Sequence, residues 1–440
     1  MNVLLVSTYE LGHQPFGLAS PAAWLAERGH EVTCTDMCVE PLAEEAARRA
    51  SLIAFYLPMH TATRLAVPVI EKFRALNPSA HLCCYGLYAP LNESYLRKLG
   101  VRTILGGEFE AALAELANNV ARGNAGLTPP VSLDKLQFRV PQRAGLAPLE
   151  KYARLHVNGS TKRAGYTEAS RGCKHLCRHC PVVPVYRGAF RIVQPAIVLE
   201  DIRRQVAAGA QHITFGDPDF FNGPTHAIRI AEELHREFPS LTYDATIKIE
   251  HLRKHRDLVQ RLQQTGCLFV TSAVESVDDE VLAKLEKGHT RADFLEIARD
   301  FRAAGLALAP TFIPFTPWTT RESYHDLLTV ILENDLVENV APIQLALRLL
   351  IPNGSRLLEL ADVRAVVTGF DEPALLHRWK HPDQDVDALA AQALKIAARR
   401  GSRRDVFAKL WELATDERPP DNFHLQPRAT IPYMDEPWYC

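Results

Sequence analysis

The chain has 440 residues, of which 47% are hydrophobic and 23% charged, with a formal net charge of −2. This composition is typical of globular proteins and excludes collagen-like and disordered chains. The small net charge gives no general attraction to nucleic acid or anionic lipid, so the expected partner is a small-molecule substrate. No apolar run reaches the ~18 residues of a membrane span, and the beginning of the chain lacks a signal-peptide pattern, so we expect a cytoplasmic protein without membrane contact.

Short apolar runs alternate with helical patterns through residues 1–122. This alternation predicts an α/β, flavodoxin-like domain with a doubly wound parallel sheet and sites at the carboxyl ends of its strands. The predicted strands are Val3–Ser7, Val32–Thr35, Leu52–Leu57, His81–Tyr85 and Val101–Leu105. Residues 123–162 are rich in proline and show no sustained periodicity, which predicts a linker.

A second alternating series occupies residues 163–355. It predicts a partial or full parallel (β/α) barrel whose active site lies at the carboxyl ends of its strands. The predicted strands include His212–Phe215, Tyr243–Ile247, Leu268–Ala273, Leu306–Phe312 and Ala341–Leu347. Residues 356–418 predict a helical region, and residues 419–440 a proline-rich tail.

Three of the nine cysteines are clustered as C-x₃-C-x₂-C: Cys173, Cys177 and Cys180. The odd total argues against a disulfide framework, so reduced thiols are expected. Cysteine thiolates are the usual ligands of iron–sulfur clusters, and three of them leave the fourth iron of a cubane open to another ligand. Zinc is the alternative, because His175 or His179 can complete a tetrahedral set with the three thiols.

The triplet and the following βα series resemble the radical S-adenosylmethionine (SAM) superfamily over residues 165–355. The resemblance implies a [4Fe-4S] cluster whose open iron binds SAM. It further implies that an electron from a reducing donor such as flavodoxin or ferredoxin cleaves SAM to a 5′-deoxyadenosyl radical. The residue before the third cysteine is usually aromatic in the family and contacts adenine; here it is His179.

Two further patches follow predicted strands. Gly216, Asp217 and Asp219 occupy the position that contacts the SAM amino group in the family, and Glu275 and Ser276 the position that hydrogen-bonds the ribose. Carboxylates suit ammonium and hydroxyl partners. The residues alone leave other interpretations open, because the first patch is also an acidic turn and the second also precedes a helix that it can cap.

A flavodoxin-like domain ahead of such a barrel resembles the cobalamin-binding class of the superfamily. The resemblance places cobalamin near residues 8–13, with His13, His60 and Tyr85 at the same edge of the sheet. The D-x-H-x-x-G motif that supplies the lower cobalt ligand in many relatives is absent. The domain therefore either holds cobalamin without that histidine or acts as a scaffold for the barrel.

The last residues, 434–440, end in Pro-Trp-Tyr-Cys. They resemble a group of radical SAM proteins whose tails continue with Cys or selenocysteine and then Ala-Glu-Pro. From this resemblance we expect the native product to extend beyond Cys440 and its thiol or selenol to reach the active site. A disordered tail end is the alternative interpretation.

Three functional hypotheses follow. The first is a radical SAM enzyme that acts on a small molecule, with cobalamin-linked methylation as one form of that reaction. The second is a non-catalytic binding protein whose structure is stabilised by bound zinc or by a bound cluster. The third is radical SAM modification of RNA, suggested by a local basic run that comprises Arg399, Arg400, Arg403, Arg404 and Lys409.

Overall fold

A computed structural model describes residues 1–124, 129–399 and 401–420, and the backbone of residues 433–434. The first sheet has six parallel strands in the order β2-β1-β3-β4-β5-β6. They are β1 Asn2–Ser7, β2 Glu31–Asp36, β3 Leu52–Tyr56, β4 His81–Tyr85, β5 Thr103–Gly107 and β6 Val131–Ser132. The predicted doubly wound sheet is confirmed, and each of its five predicted strands begins and ends within two residues of an observed one.

Helices cover both faces of this sheet. They are α1 Phe16–Glu27, α2 Glu44–Arg49, α3 His60–Leu76, α4 Tyr88–Leu91, α5 Glu93–Lys98 and α6 Glu110–Ala121. Alternate residues of β3 enter different cores: Phe55 packs with Phe73, whereas Ala54 packs with Leu25. Burial on both faces explains why these strands are continuous apolar runs in the sequence.

The second sheet forms a partial barrel with the strand order β14-β13-β12-β11-β8-β7-β17. Five neighbouring strands are parallel: β8 Ser160–Thr167, β11 His212–Phe215, β12 Thr242–Thr246, β13 Cys267–Glu275 and β14 Ala307–Phe312. At one edge β7 Arg154–Val157 pairs antiparallel with β8, and β17 Tyr433–Met434 pairs antiparallel with β7. A separate antiparallel pair joins β9 Ser170–Gly172 to β10 Phe190–Ile192.

Eight helices follow the strands of the partial barrel within the described part of residues 163–355. They are α7 Val183–Tyr186, α8 Pro195–Ala207, α9 Pro224–Glu237, α10 Ile249–Lys254, α11 Asp257–Gln264, α12 Asp279–Lys284, α13 Arg291–Ala303 and α14 Arg321–Glu333. The predicted strand Ala341–Leu347 is wrong, because a 3-10 helix occupies Pro342–Leu345. Proline has no N–H to donate to a sheet, and only a single parallel bridge forms nearby, between Phe315 and Arg348.

The C-terminal region contains α15 Ala361–Val366, α16 Gln384–Ala397 and α17 Arg403–Thr415, and a hairpin of β15 Val367–Asp371 and β16 Leu376–Trp379. The predicted helices are present, but the hairpin was not predicted. Leu389 and Leu410 from α16 and α17 join the core of the barrel. Among the described residues no helix combines the length and apolar character that a membrane crossing requires.

Candidate active site

The cysteine loop begins directly after β9. Gly172 has a φ of +73°, and a Cβ at this position would lie 2.6 Å from the carbonyl oxygen of Ala189, so only glycine fits. Within the loop the Cys180 N–H donates to the Cys177 carbonyl at 3.2 Å. The structure therefore brings the three predicted ligand cysteines together on one loop.

The spacing of the thiols separates a cluster from a single ion. Among the described residues, the ligand atoms that lie within 4.8 Å of one another belong to His175, Asp219 and His251, and the three thiols do not form such a set. A tetrahedral zinc ion needs its sulfur ligands about 4 Å apart. Ligands of a cubane bind separate irons and stand further apart. This geometry argues against the zinc alternative, and neither histidine of the loop is grouped with the thiols.

Two buried lysines approach the sulfurs. Lys248 Nζ lies 3.6 Å from Cys177 Sγ, and Lys287 is fully enclosed nearby. Burial raises the pKa of Cys173 to about 11 and that of Cys180 to about 12, so these thiols stay protonated until a metal displaces the proton. The ammonium groups can then offset the negative charge of a thiolate-bound cluster.

Glu275 is the last residue of β13, at the carboxyl end of the barrel. Its φ of +72° is unusual for a residue with a side chain, and it is 7% exposed. Its Oε1 lies 3.3 Å from Lys287 Nζ and 3.1 Å from His179 Nε2. Burial would raise the pKa of Glu275, but the charge of Lys287 and the bond from His179 lower it to about 2. A strained, buried and ionised carboxylate is typical of a ligand-binding position.

Ser276 has a local role in the structure. Its Oγ accepts a hydrogen bond from the Asp278 N–H at 3.1 Å. Asp278 in turn caps α12 by accepting from the Glu280 and Val281 N–H groups. The turn after β13 is therefore a helix cap, and it fixes the direction in which Glu275 leaves the strand.

Gly216 and Asp217 follow β11 and face the strand that leads into the cysteines. A Cβ on Gly216 would lie 1.8 Å from Tyr166 Oη, so no side chain fits there. Asp217 accepts hydrogen bonds from the Ala169 N–H at 2.8 Å and from the Ser170 hydroxyl. Burial raises the pKa of Asp217 to about 7. Through these two hydrogen bonds Asp217 fixes the position of the segment that leads into the cysteine loop.

Asp219 connects to the same loop through two histidines. Its Oδ1 accepts from the Phe221 N–H at 3.1 Å, and its Oδ2 lies 2.7 Å from His251 Nδ1. His251 Nε2 is 3.0 Å from His175 Nε2, in the middle of the cysteine loop. Sequence reasoning missed His251, and its place shortly after the end of β12, in the first turn of α10, was the available signal.

Arg171 joins the cysteine strand to the first sheet. Its guanidinium lies 2.6 Å from Glu110, 2.6 Å from Glu168 and 3.5 Å from Glu108, and the residue is 6% exposed. Glu108 and Glu110 follow β5, so the carboxyl ends of both sheets meet at this arginine. Sequence analysis did not single out Arg171, because two of its three partners, Glu108 and Glu110, lie about 60 residues earlier in the chain.

A cavity of about 260 Å³ lies between the two sheets, lined by Glu10, His13, Tyr56, Tyr166 and Gly216 among others. The His13 ring lies 4.9 Å from the Tyr166 ring, and burial lowers the pKa of His13 to about 4. Burial and the charge of Glu168 raise the pKa of Glu10, whose Oε2 has no partner. The loop at residues 8–13, where the sequence analysis expects cobalamin, contributes Glu10, Leu11 and His13 to the lining of this cavity.

The other two residues predicted at this edge, His60 and Tyr85, do not line this cavity. The Tyr85 hydroxyl is buried and donates to the Gly17 carbonyl at 2.8 Å. His60 bonds the Ala374 carbonyl at 2.7 Å and lines a second cavity. In the basic run, Arg404 pairs with Glu338 at 2.8 Å. Arg400 and Cys440 lie outside the described residues, so the tail hypothesis is not tested by this structure.

Comparison with protein families matches residues 167–330 to the Radical SAM superfamily. A hopanoid C-3 methylase from Methylococcus capsulatus is 25% identical over 324 residues, which cover 69% of this chain and 62% of that protein. A tRNA-2-methylthio-N(6)-dimethylallyladenosine synthase from Oceanobacillus iheyensis is 27% identical over 180 residues. That match covers 37% of this chain and 33% of the synthase. The chain thus spans less than two thirds of either relative.

Solved structures share the fold over most of the chain. The radical SAM methyltransferase TsrM from Kitasatospora setae, with tryptophan substrate and a SAM analogue bound, has a TM-score of 0.69 and 17% identity. The match covers 91% of this chain and 89% of TsrM. The cobalamin-dependent SAM radical enzyme OxsB has a TM-score of 0.67 and 13% identity, with 89% and 65% covered.

The doubly wound sheet and the partial barrel define an α/β protein whose cysteine loop follows β9. The family match over residues 167–330 covers that loop and the parallel strands β11–β14. This part of the chain is therefore similar to the Radical SAM superfamily, and the chain as a whole shares its fold with TsrM.

Proposed function

We propose that the chain is a radical SAM enzyme that binds a [4Fe-4S] cluster through Cys173, Cys177 and Cys180 and acts on a small molecule. The observation that carries the proposal is three thiols on one loop, spaced too widely for a single ion, facing a buried carboxylate held in its ionised form. The thiol set fits a cluster with one open iron. When bound, the cluster supplies the electron that cleaves SAM.

The chain's own residues supply binding and orientation. The Glu275 carboxylate offers two acceptor oxygens for hydroxyl donors such as those of a ribose, and Lys287 keeps it ionised. His179 holds the same carboxylate from the loop side. Gly216 lacks a side chain and so accommodates the ring of Tyr166, and both residues line the cavity between the two sheets. Asp217 accepts a hydrogen bond from Ser170, and Asp219 lies against His251. Both carboxylates thereby help to fix the position of the cysteine loop.

The experiment is anaerobic reconstitution with iron and sulfide, followed by measurement of 5′-deoxyadenosine released from SAM with dithionite as reductant. The wild-type protein should hold about four irons per chain and release the nucleoside. Cys177→Ala should lose the cluster spectrum and the cleavage activity together. Cys38→Ala, which removes an exposed thiol away from the loop, is the matched control and should behave as wild type. Colourless wild-type protein with one zinc per chain would refute the proposal.

Cobalamin-linked methylation is the second candidate function. Its support is the shared fold with OxsB, described as cobalamin-dependent, over 89% of this chain. Loops of the first sheet line the cavity between the two sheets, and they include Glu10 and His13 from the region where cobalamin is expected. Hydroxocobalamin that remains bound at one per chain through gel filtration, together with methyl transfer from SAM, would establish this second function.

A further inference from the structure

A second cavity, of about 640 Å³, lies on the other side of the cysteine loop. Four parts of the chain supply most of its walls: the beginning of α3, the residues on either side of the third cysteine, the segment after the 3-10 helix at Pro342–Leu345, and α16. A volume of this size holds a drug-sized molecule and lies within the range of ligand pockets in enzymes.

The walls of this cavity are mostly apolar. The apolar lining residues include Met59, Tyr88, Ile313, Leu349, Leu350 and Leu394. Two of them, Leu350 and Leu394, are 46% and 42% exposed, although large apolar side chains are usually covered in a folded protein. An uncovered apolar rim on an open cavity indicates a surface that a ligand covers.

Several polar groups of the lining already have protein partners. Arg348 Nη1 lies 2.6 Å from Asp387 Oδ1, and its guanidinium stacks on Trp379 at 3.6 Å. His60 bonds the Ala374 carbonyl, and His179 bonds Glu275. Arg64 also lines the cavity, but it is exposed and its charge is hydrated. The rest of the lining favours an apolar ligand, because an additional charge there would be desolvated without a partner.

The buried end of the cavity meets the candidate SAM site. His179 and Pro181, on either side of Cys180, both line it. The Ile313 N–H donates to the carbonyl of Glu275 at 2.9 Å, so the opposite wall is tied to the same residue. A molecule in the cavity therefore reaches the groups that the proposed function assigns to SAM and the cluster.

We propose that this cavity binds the substrate and that the substrate is an apolar, hydrocarbon-rich small molecule. That the ligand is a substrate rests on the proposed function. That a ligand binds at this place rests on the cavity alone. The ligand's bulk packs against the leucine rim and α16. Its reactive carbon points to the end lined by His179.

The test is fluorescence titration of the reconstituted protein with the neutral apolar probe N-phenyl-1-naphthylamine. Wild type should bind one probe per chain. Leu394→Glu, which puts a charge on the rim, should weaken binding about tenfold, the cost of partly desolvating a charge. The matched control is Leu65→Glu on α3, since Leu65 is 40% exposed and does not line the cavity. This control should bind the probe as wild type does.

Two measurements keep this inference separate from the proposed function. Probe binding that is absent in wild type, or equally strong in Leu394→Glu and Leu65→Glu, overturns the apolar site while SAM cleavage still stands. Loss of SAM cleavage in wild type with rim-dependent probe binding refutes the proposed function and retains the apolar site. A second rim variant, Leu350→Glu, guards against a local folding defect and should reproduce the weakening.

Discussion

The carboxyl edges of the two sheets face each other in this molecule. Three buried titratable groups at these edges differ in the charge state that their surroundings favour. At the barrel edge, Glu275 is buried yet kept ionised by Lys287 and His179. At the edge of the first sheet, Glu10 and His13 are buried and driven toward their neutral forms. Equal burial therefore leaves Glu275 charged and favours the neutral forms of Glu10 and His13. The surroundings of Glu275 thus suit a charged group, whereas those of Glu10 and His13 suit neutral ones.

The strongest way to break this comparison is to remove the arginine that joins the two edges. Arg171→Ala leaves the carboxyl groups of Glu108, Glu110 and Glu168 buried without their cation. We expect the free energy of unfolding in urea to fall by about 3–5 kcal/mol. Arg203→Ala, which removes an exposed partner of Glu237, is the control and should cost no more than about 1 kcal/mol. Similar losses in both variants would contradict a joining role for Arg171.

A second prediction concerns Glu275, the ionised carboxylate at the barrel edge. Glu275→Gln keeps the shape of the side chain but removes the charge that Lys287 and His179 hold. We expect the dissociation constant for SAM, measured by anaerobic calorimetry, to rise about 10- to 100-fold, the range for one hydrogen bond to a charged group. Glu280→Gln, an exposed change on the next helix, is the control. Unchanged SAM affinity in Glu275→Gln would show that this carboxylate is structural.

The smallest expected effect on stability concerns His13, at the edge of the first sheet. Burial lowers the pKa of His13 from 6.5 to about 4, so between these values the unfolded chain takes up a proton that the folded chain does not. Stability is therefore present above pH 6.5 and is lost as the pH falls toward 4. On lowering the pH from about 7 to about 5.5, wild type should lose about 1 kcal/mol more unfolding free energy than His13→Gln. Parallel pH profiles would show that His13 is protonated in the folded state.

The sequence was sufficient for features that depend on local pattern. Continuous apolar runs identified β1 to β5, and the cysteine spacing identified the loop that the structure forms at residues 173–180. Where packing decides, the pattern failed. The segment Ala341–Leu347 is apolar like a strand, but Pro342 turns it into a 3-10 helix. The hairpin β15–β16 is short and largely exposed, so it has little apolar periodicity to detect.

The ion pairs of the candidate site could not be predicted from the sequence, for a different reason. The contact of Lys287 with Glu275 depends on how α12 returns the chain to the end of β13. Arg171 and His251 find partners that are distant in sequence. Spacing along the chain identifies metal ligands that share a loop, but it carries no information on ion pairs that only the tertiary fold assembles.

The pairing of β17 has a practical consequence for handling the protein. Because β17 is antiparallel to β7, and β7 is antiparallel to β8, the chain at Tyr433–Met434 runs in the same direction as β8. It therefore heads toward the end of the barrel that carries the cysteine loop. An affinity tag for purification belongs at Met1, next to the amino end of β1, where it starts from the opposite edge of a sheet.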